Sequence, residues 1–218
     1  WLGGAVDEAN LARRLEQLAA AGFGGVEICP IYGAKGWEDR YVPFLSPRWM
    51  ELLAHTAREA QRLSLGVDLT TGTGWPFGGP WVGDEDASSS LLLERDPRGA
   101  LVASTKRPIQ KVKRAAPGGE GNVLDPYSVP ALERYLARFD EAFAGFRCLP
   151  LRAHFHDSFE YYGASFTPSL WTEFEARRGY DLRKELPALA GVGPEDTVAR
   201  VRSDYRETLS DLHLEYVR

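Results

Sequence analysis

The chain has 218 residues and 24.2 kDa, of which 44% are hydrophobic and 11% aromatic, enough apolar material for one sizeable core and too much for a disordered or fibrous protein. Its 31 acidic and 26 basic residues give a net charge of -5 spread along the chain, which excludes a broad basic face for nucleic acid or anionic lipid. No run of about 18 apolar residues is present to span a membrane, and two cysteines, Cys29 and Cys148, are too few for a disulfide framework or a cysteine zinc site and read as buried thiols.

In chain order, Trp1-Leu2 reads as the end of a first strand. Asp7 then caps a helix with Leu11, Leu15, Leu18 and Ala19 inward, which stops at Ala21-Gly22, where glycine supplies a left-handed cap. A strand is predicted over 25–29. After an aromatic loop, Ser46 as cap and Pro47 at the first helical position start a helix with a stripe of Leu52, Leu53, Thr56, Ala60 and Leu63, and a strand follows over 65–70. Residues 88–124 read as a small antiparallel insertion. Within it the basic cluster Lys106, Arg107, Lys111, Lys113 and Arg114, alternating with Ile109 and Val112, suits the solvated face of a strand pair. Helices are predicted over about 129–144, 168–178 and 198–218, with a buried strand carrying Leu149, Leu151, Ala153 and Phe155 between the first two. This alternation predicts parallel strands joined by crossovers: an α/β chain forming about the first four units of a (β/α)8 barrel, with residues 1–218 one partial catalytic domain. An open doubly wound sheet would need a glycine fingerprint after the first strand, which is missing, and no nucleotide cofactor is expected.

The chemistry concentrates at His154-Phe155-His156-Asp157-Ser158-Phe159-Glu160, where a strand breaks into titratable side chains at the edge where α/β folds bind ligands. A carboxyl at Glu160 walled by Phe159, Tyr161 and Tyr162 suits a proton donor to a leaving oxygen, the general acid of a glycosidase. The second carboxylate such an enzyme needs is not evident: Glu27 and Asp68 sit within strands, and Asp39 is the only loop candidate. Trp75, Phe77 and Trp81, set among glycines and prolines, suit a platform for the apolar face of a sugar ring rather than a phosphate loop. Tyr32, Trp37, Glu38, Asp39, Arg40 and Tyr41 offer substrate walls or loop packing. His154 and His156 alternate, so they share one side of the strand.

Several motifs resemble glycoside hydrolase family 106, the α-L-rhamnosidase-like enzymes: 20–27 around Gly22-Phe23-Gly24-Gly25, Phe44-Leu45-Ser46-Pro47-Arg48-Trp49, Gly74-Trp75-Pro76-Phe77-Gly78-Gly79-Pro80-Trp81, Asp157-Ser158-Phe159-Glu160, Trp171-Thr172-Glu173-Phe174, Arg177-Arg178-Gly179-Tyr180-Asp181-Leu182, Leu186-Pro187-Ala188-Leu189 and Arg202-Ser203-Asp204-Tyr205. The resemblance implies a (β/α)8 catalytic domain that removes a terminal sugar, typically L-rhamnose, with inversion, using two glutamates and often a calcium ion. It places Glu160 as the general acid, with its base on a later strand beyond residue 218; our own reading of the loops sets Trp75, Trp81, His156, Asp157, Tyr32 and Glu38 around the sugar. It gives no calcium ligands residue by residue. The family leads us to expect a carbohydrate partner and a secreted or periplasmic setting, with no signal peptide visible in this chain. An open barrel edge predicts self-association. Two other readings stand beside it: a catalytically silent remnant that binds sugar or only holds structure, and a metal-dependent sugar isomerase using His156, Asp157 and Glu160.

Overall fold

The computed structural model describes residues 1–147, 151–156 and 158–218. The sequence readings of Cys148, Leu149 and Asp157 fall outside the described residues. In chain order the elements are α1 (Glu8–Ala20), β1 (Gly25–Ile28), α2 (Pro47–Arg62), β2 (Gly66–Thr70), β3 (Gly78–Gly79), β4 (Ser90–Arg95), β5 (Leu101–Lys106), β6 (Asn122–Val123), α3 (Val129–Phe143), β7 (Ala153–Phe155), α4 (Leu170–Arg178), α5 (Leu186–Leu189) and α6 (Glu195–Tyr216). They fall into two compact units: Trp1–Gly83, Lys111–Val123 and Arg134–Glu160 in the first, Asp84–Gln110, Leu124–Glu133 and Tyr161–Arg218 in the second.

In the first unit, the Asp7 carboxylate accepts the Asn10 backbone N–H at 2.8 Å and starts α1, while the Ser46 hydroxyl accepts that of Trp49 at 3.3 Å and starts α2. Both helices bury an apolar stripe. Leu15 from α1 and Trp49, Leu53 and Ala60 from α2 pack with Ile28, Val67 and Leu69 of the strands, and Trp49, fully buried, meets Trp1 and Phe44 edge-on at 5.3 and 4.9 Å. A fully buried Leu or Trp contributes about 2–3 kcal/mol of transfer free energy, so this stripe fixes both helices to the sheet.

The sheet corrects the four-unit barrel expectation. Only three parallel strands form one sheet among the described residues, in the order β1-β2-β7, accompanied by the antiparallel pairs β3-β6 and β4-β5 and six helices. Trp1-Leu2 contributes a single isolated bridge from Leu2 to Ile31 instead of a strand. The reason is local: Gly3 and Gly4 both take left-handed φ, +61° and +65°, and turn the chain before an extended segment can form. The strand expected to be buried before His156 is also different. β7 is a three-residue edge strand with all three residues exposed, Phe155 at 43%, because only β2 pairs with it among the described strands. Cys29 is half-buried rather than buried.

In the second unit, β4 and β5 pair antiparallel from Ser90↔Lys106 to Arg95↔Leu101. β5 stops at Lys106, and Pro108, with no N–H to give a ladder, follows two residues later. The basic cluster is therefore not one solvated face. Lys106 ends β5, Arg107 is drawn inward, and Lys111, Lys113 and Arg114 belong to the first unit. α4 to α6 pack around Phe174, Leu182, Ala188 and Val201, and Gly179, φ +79°, ends α4 with its N–H on the Glu175 carbonyl.

Candidate active site

The segment 111–116 ties together the loops at the C-terminal ends of β1 and β2. Trp75 and Lys113 exchange both backbone hydrogen bonds, at 3.2 and 3.0 Å, the Ala116 N–H donates to the Thr73 carbonyl, and the Tyr32 N–H donates to the Arg114 carbonyl at 2.9 Å. Gly74 permits this closeness, since a Cβ there would overlap the Lys113 carbonyl. The buried Tyr135 hydroxyl from α3 reaches the Thr71 and Gly78 carbonyls at 3.0 and 3.2 Å and pins the other side of the loop.

On this frame Lys113 Nζ donates to Glu160 Oε2 at 2.5 Å, with the side chains 39% and 33% exposed. Glu160 follows β7 in the chain and Lys113 lies 47 residues away, so the pair exists only through the fold. An ammonium in contact stabilises a carboxylate. The contact fixes the position of the Glu160 carboxyl against Lys113. Beside it His156 stacks on Phe77, ring centres 3.9 Å apart, and meets Phe159 edge-on at 4.5 Å. Phe77 continues an aromatic column through Tyr135 (6.1 Å) to Trp81 (5.9 Å) and Phe44 (6.5 Å). His154, on the same side as His156, shares a hydrogen bond of 3.3 Å with the Thr71 hydroxyl.

The other expected residues are distributed around this frame. The Arg114 guanidinium lies over the rings of both Tyr32 and Trp75, at 5.1 and 5.4 Å, so these two aromatics share one cation. Trp81 sits at the inner end of the column, against Tyr135, Phe139 and Phe44. Glu38 lies on an exposed 3-10 turn, Glu38–Arg40, and accepts the Gly36 N–H at 3.0 Å, which holds its carboxyl below the ordinary value. Of the three aromatics expected around Glu160, Phe159 and Tyr162 are exposed and Tyr161 is partly buried. Asp68 is taken up by Arg152, whose two nitrogens donate at 2.9 and 2.5 Å and hold its carboxyl below the usual range. Among the described residues no three His, Cys, Asp or Glu side chains converge, so the expected calcium ion is given no ligands here.

Sequence reasoning missed Lys113 and Arg114, which it assigned to a solvated strand face. The signal that could have found them is Pro108, which ends the strand and leaves the residues after it free to serve another purpose.

The second unit holds an acid of another kind. Asp125 is 1% exposed in its side chain, accepts the Tyr127 backbone N–H at 3.0 Å, and faces Arg107 at 3.9 Å. Burial pushes its carboxyl up to about 6, against the pull of Tyr127 and Arg107.

Against known proteins, the α-L-rhamnosidase family, glycoside hydrolase family 106, matches residues 1–94 and 101–217. The chain belongs to this family. The unmatched residues 95–100 cover the end of β4 and the turn that leads to β5. The structure of a rhamnosidase from Novosphingobium sp. PP1Y superposes on 100% of the chain with a TM-score of 0.73 at 15% identity, the chain covering 44% of that protein; what the two share is the fold. A Formosa agariphila protein provisionally named a β-glucuronidase is 28% identical over 93 residues, 42% of this chain and 8% of its own length. The chain thus spans less than half the length of the relatives it matches. Among the described residues no helix is long and apolar enough to cross a membrane.

Proposed function

We propose that this chain carries the proton-donor side of a glycosidase active site, with Glu160 as general acid for release of a terminal α-L-rhamnosyl or similar deoxysugar residue. The observation that carries the reading is the 2.5 Å contact between Lys113 and Glu160 at the C-terminal end of the parallel sheet, next to the His156–Phe77 stack. Lys113 orients the carboxyl; His156, Phe77, Trp75 and Tyr32 offer ring faces and edges to the sugar, with Trp81 supporting the column from inside. Asp157 and Glu38 complete the expected substrate shell. The second carboxylate, which in an inverting mechanism activates water from the opposite face, would come from residues other than those described. Family membership supports this reading. Family membership also favours a secreted or periplasmic setting. The exposed residues of β7 are consistent with the expected self-association.

The test is release of L-rhamnose from α-L-rhamnosides by the intact protein and by its Glu160→Gln variant. Hydrolysis that depends on Glu160 supports the reading. Hydrolysis that the substitution leaves unchanged, or binding of the sugar with no hydrolysis by either form, overturns it.

A further inference from the structure

A cleft of about 690 Å³ opens along the first turns of α1 and the turn Glu38–Arg40, with Asp7, Asn10, Arg13, Arg14, Trp37 and Arg40 in its wall. Glu160, Lys113, His156 and Trp75 do not line it. Trp37 is 49% exposed and carries the Arg40 guanidinium over its ring at 4.4 Å. Arg13 is aimed by a relay: its guanidinium donates to Asn10 Oδ1 at 2.6 Å, and the Asn10 amide donates to Asp7 at 2.7 Å. Arg14 leans on Gln17 at 2.9 Å.

The charge of this cleft is unbalanced in a way that a solvated helix face is not. On α2 and α3, Arg48, Arg62 and Arg138 are each matched by an acid three residues away, Glu51, Glu59 and Glu141. Among the described residues Arg13, Arg14 and Arg40 form no ion pair. The one acid in the wall, Asp7, is committed to Asn10 and to capping α1, which hold its carboxyl low. Three guanidiniums without a close ion pair, one of them, Arg40, within electrostatic reach of Asp7, surround a half-exposed indole and complement a flat ligand bearing negative charge. Guanidinium forks match carboxylate and sulfate oxygens two at a time, and an indole face stacks on the C–H face of a sugar ring.

We propose that this cleft is a second carbohydrate site, separate from Glu160, which binds an acidic saccharide by stacking one ring on Trp37 and holding its carboxylate or sulfate groups with Arg13, Arg14 and Arg40. The site requires no chemistry at Glu160, so the test is run on the intact protein and on Glu160→Gln alike.

Binding is measured by calorimetry with size-matched oligogalacturonate, sulfated dextran and neutral dextran, and with polyglutamate as a non-carbohydrate anion. The expected result is binding of one or both acidic saccharides, each at least about tenfold tighter than neutral dextran, and weakening as salt rises from about 50 to 500 mM. The carboxylate and sulfate arms identify which group the arginines prefer. Trp37→Ala and Arg13→Gln/Arg40→Gln should each weaken binding about tenfold or more, with unchanged circular dichroism and unchanged rhamnoside hydrolysis. Equal binding of neutral dextran, equal binding of polyglutamate, or affinity indifferent to Trp37→Ala would overturn the proposal.

Discussion

Each unit sets a carboxylate against a cation, and the two pairs are built to opposite specifications. Lys113 and Glu160 touch at 2.5 Å and remain more than a third and about a third exposed, so solvent or a ligand can take either partner. Arg107 and Asp125 stand 3.9 Å apart, with Asp125 almost wholly buried and Arg107 18% exposed. Contact without burial leaves a charge available for chemistry. Burial without close contact leaves a charge that the fold must carry, at the expense of stability. The same residue types thus serve a site in one unit and set a pH dependence in the other.

The comparison can be broken most forcefully at Glu160. Glu160→Gln keeps the acceptor for Lys113 but has no proton to donate, and general acids supply about 10²–10⁴-fold. On an α-L-rhamnoside with an unactivated leaving group, kcat should fall within that range while the unfolding midpoint hardly moves. Next comes Asp125. Its folded-state carboxyl is raised from 3.8 to about 6, so the folded protein holds the proton more tightly than the unfolded chain. Its contribution is therefore fully present below about pH 3.8, is lost as pH rises through about 6, and totals about 3 kcal/mol from a shift of about two units. Urea unfolding from pH 5 to 7.5 should show roughly half of that loss, and Asp125→Asn should flatten the slope; an unchanged slope would place the titration elsewhere.

A smaller effect sharpens the role of Lys113. Lys113→Gln should lower kcat about tenfold by loosening Glu160, with KM little altered. Smallest of all, Asp7→Ala should cost about 1 kcal/mol in thermal unfolding through loss of the α1 cap, without changing the kinetics.

What the sequence made legible was what its neighbours in the chain decide. Asp7, Ser46-Pro47 and Gly179 act within one helical turn, and each performs the role that its local pattern predicts. The β4-β5 pair follows from alternation bounded by a turn. Trp1-Leu2 looked like a strand end because its apolar character is visible, whereas the left-handed pair Gly3-Gly4 that stops it is a backbone fact. Lys113 and Arg114 escaped because their alternation with Val112 imitates a strand face. Their actual partners, Trp75, Tyr32 and Glu160, are brought in by tertiary pairing from 38 or more positions away, a distance no periodicity can encode. Trp81 and Phe77 look interchangeable in a glycine-rich loop, yet the column sets Trp81 against Phe44 and Phe139 and Phe77 against His156.

The most direct test of Glu160 as proton donor compares two leaving groups in the intact protein. p-Nitrophenolate departs without a proton, whereas the sugar alcohol of a rhamnosyl disaccharide needs one. For Glu160→Gln, kcat should collapse on the disaccharide and fall far less on p-nitrophenyl α-L-rhamnoside, a difference of about 10²-fold between the two substrates. Equal losses on both would contradict the assignment and make Glu160 a base or a binding residue.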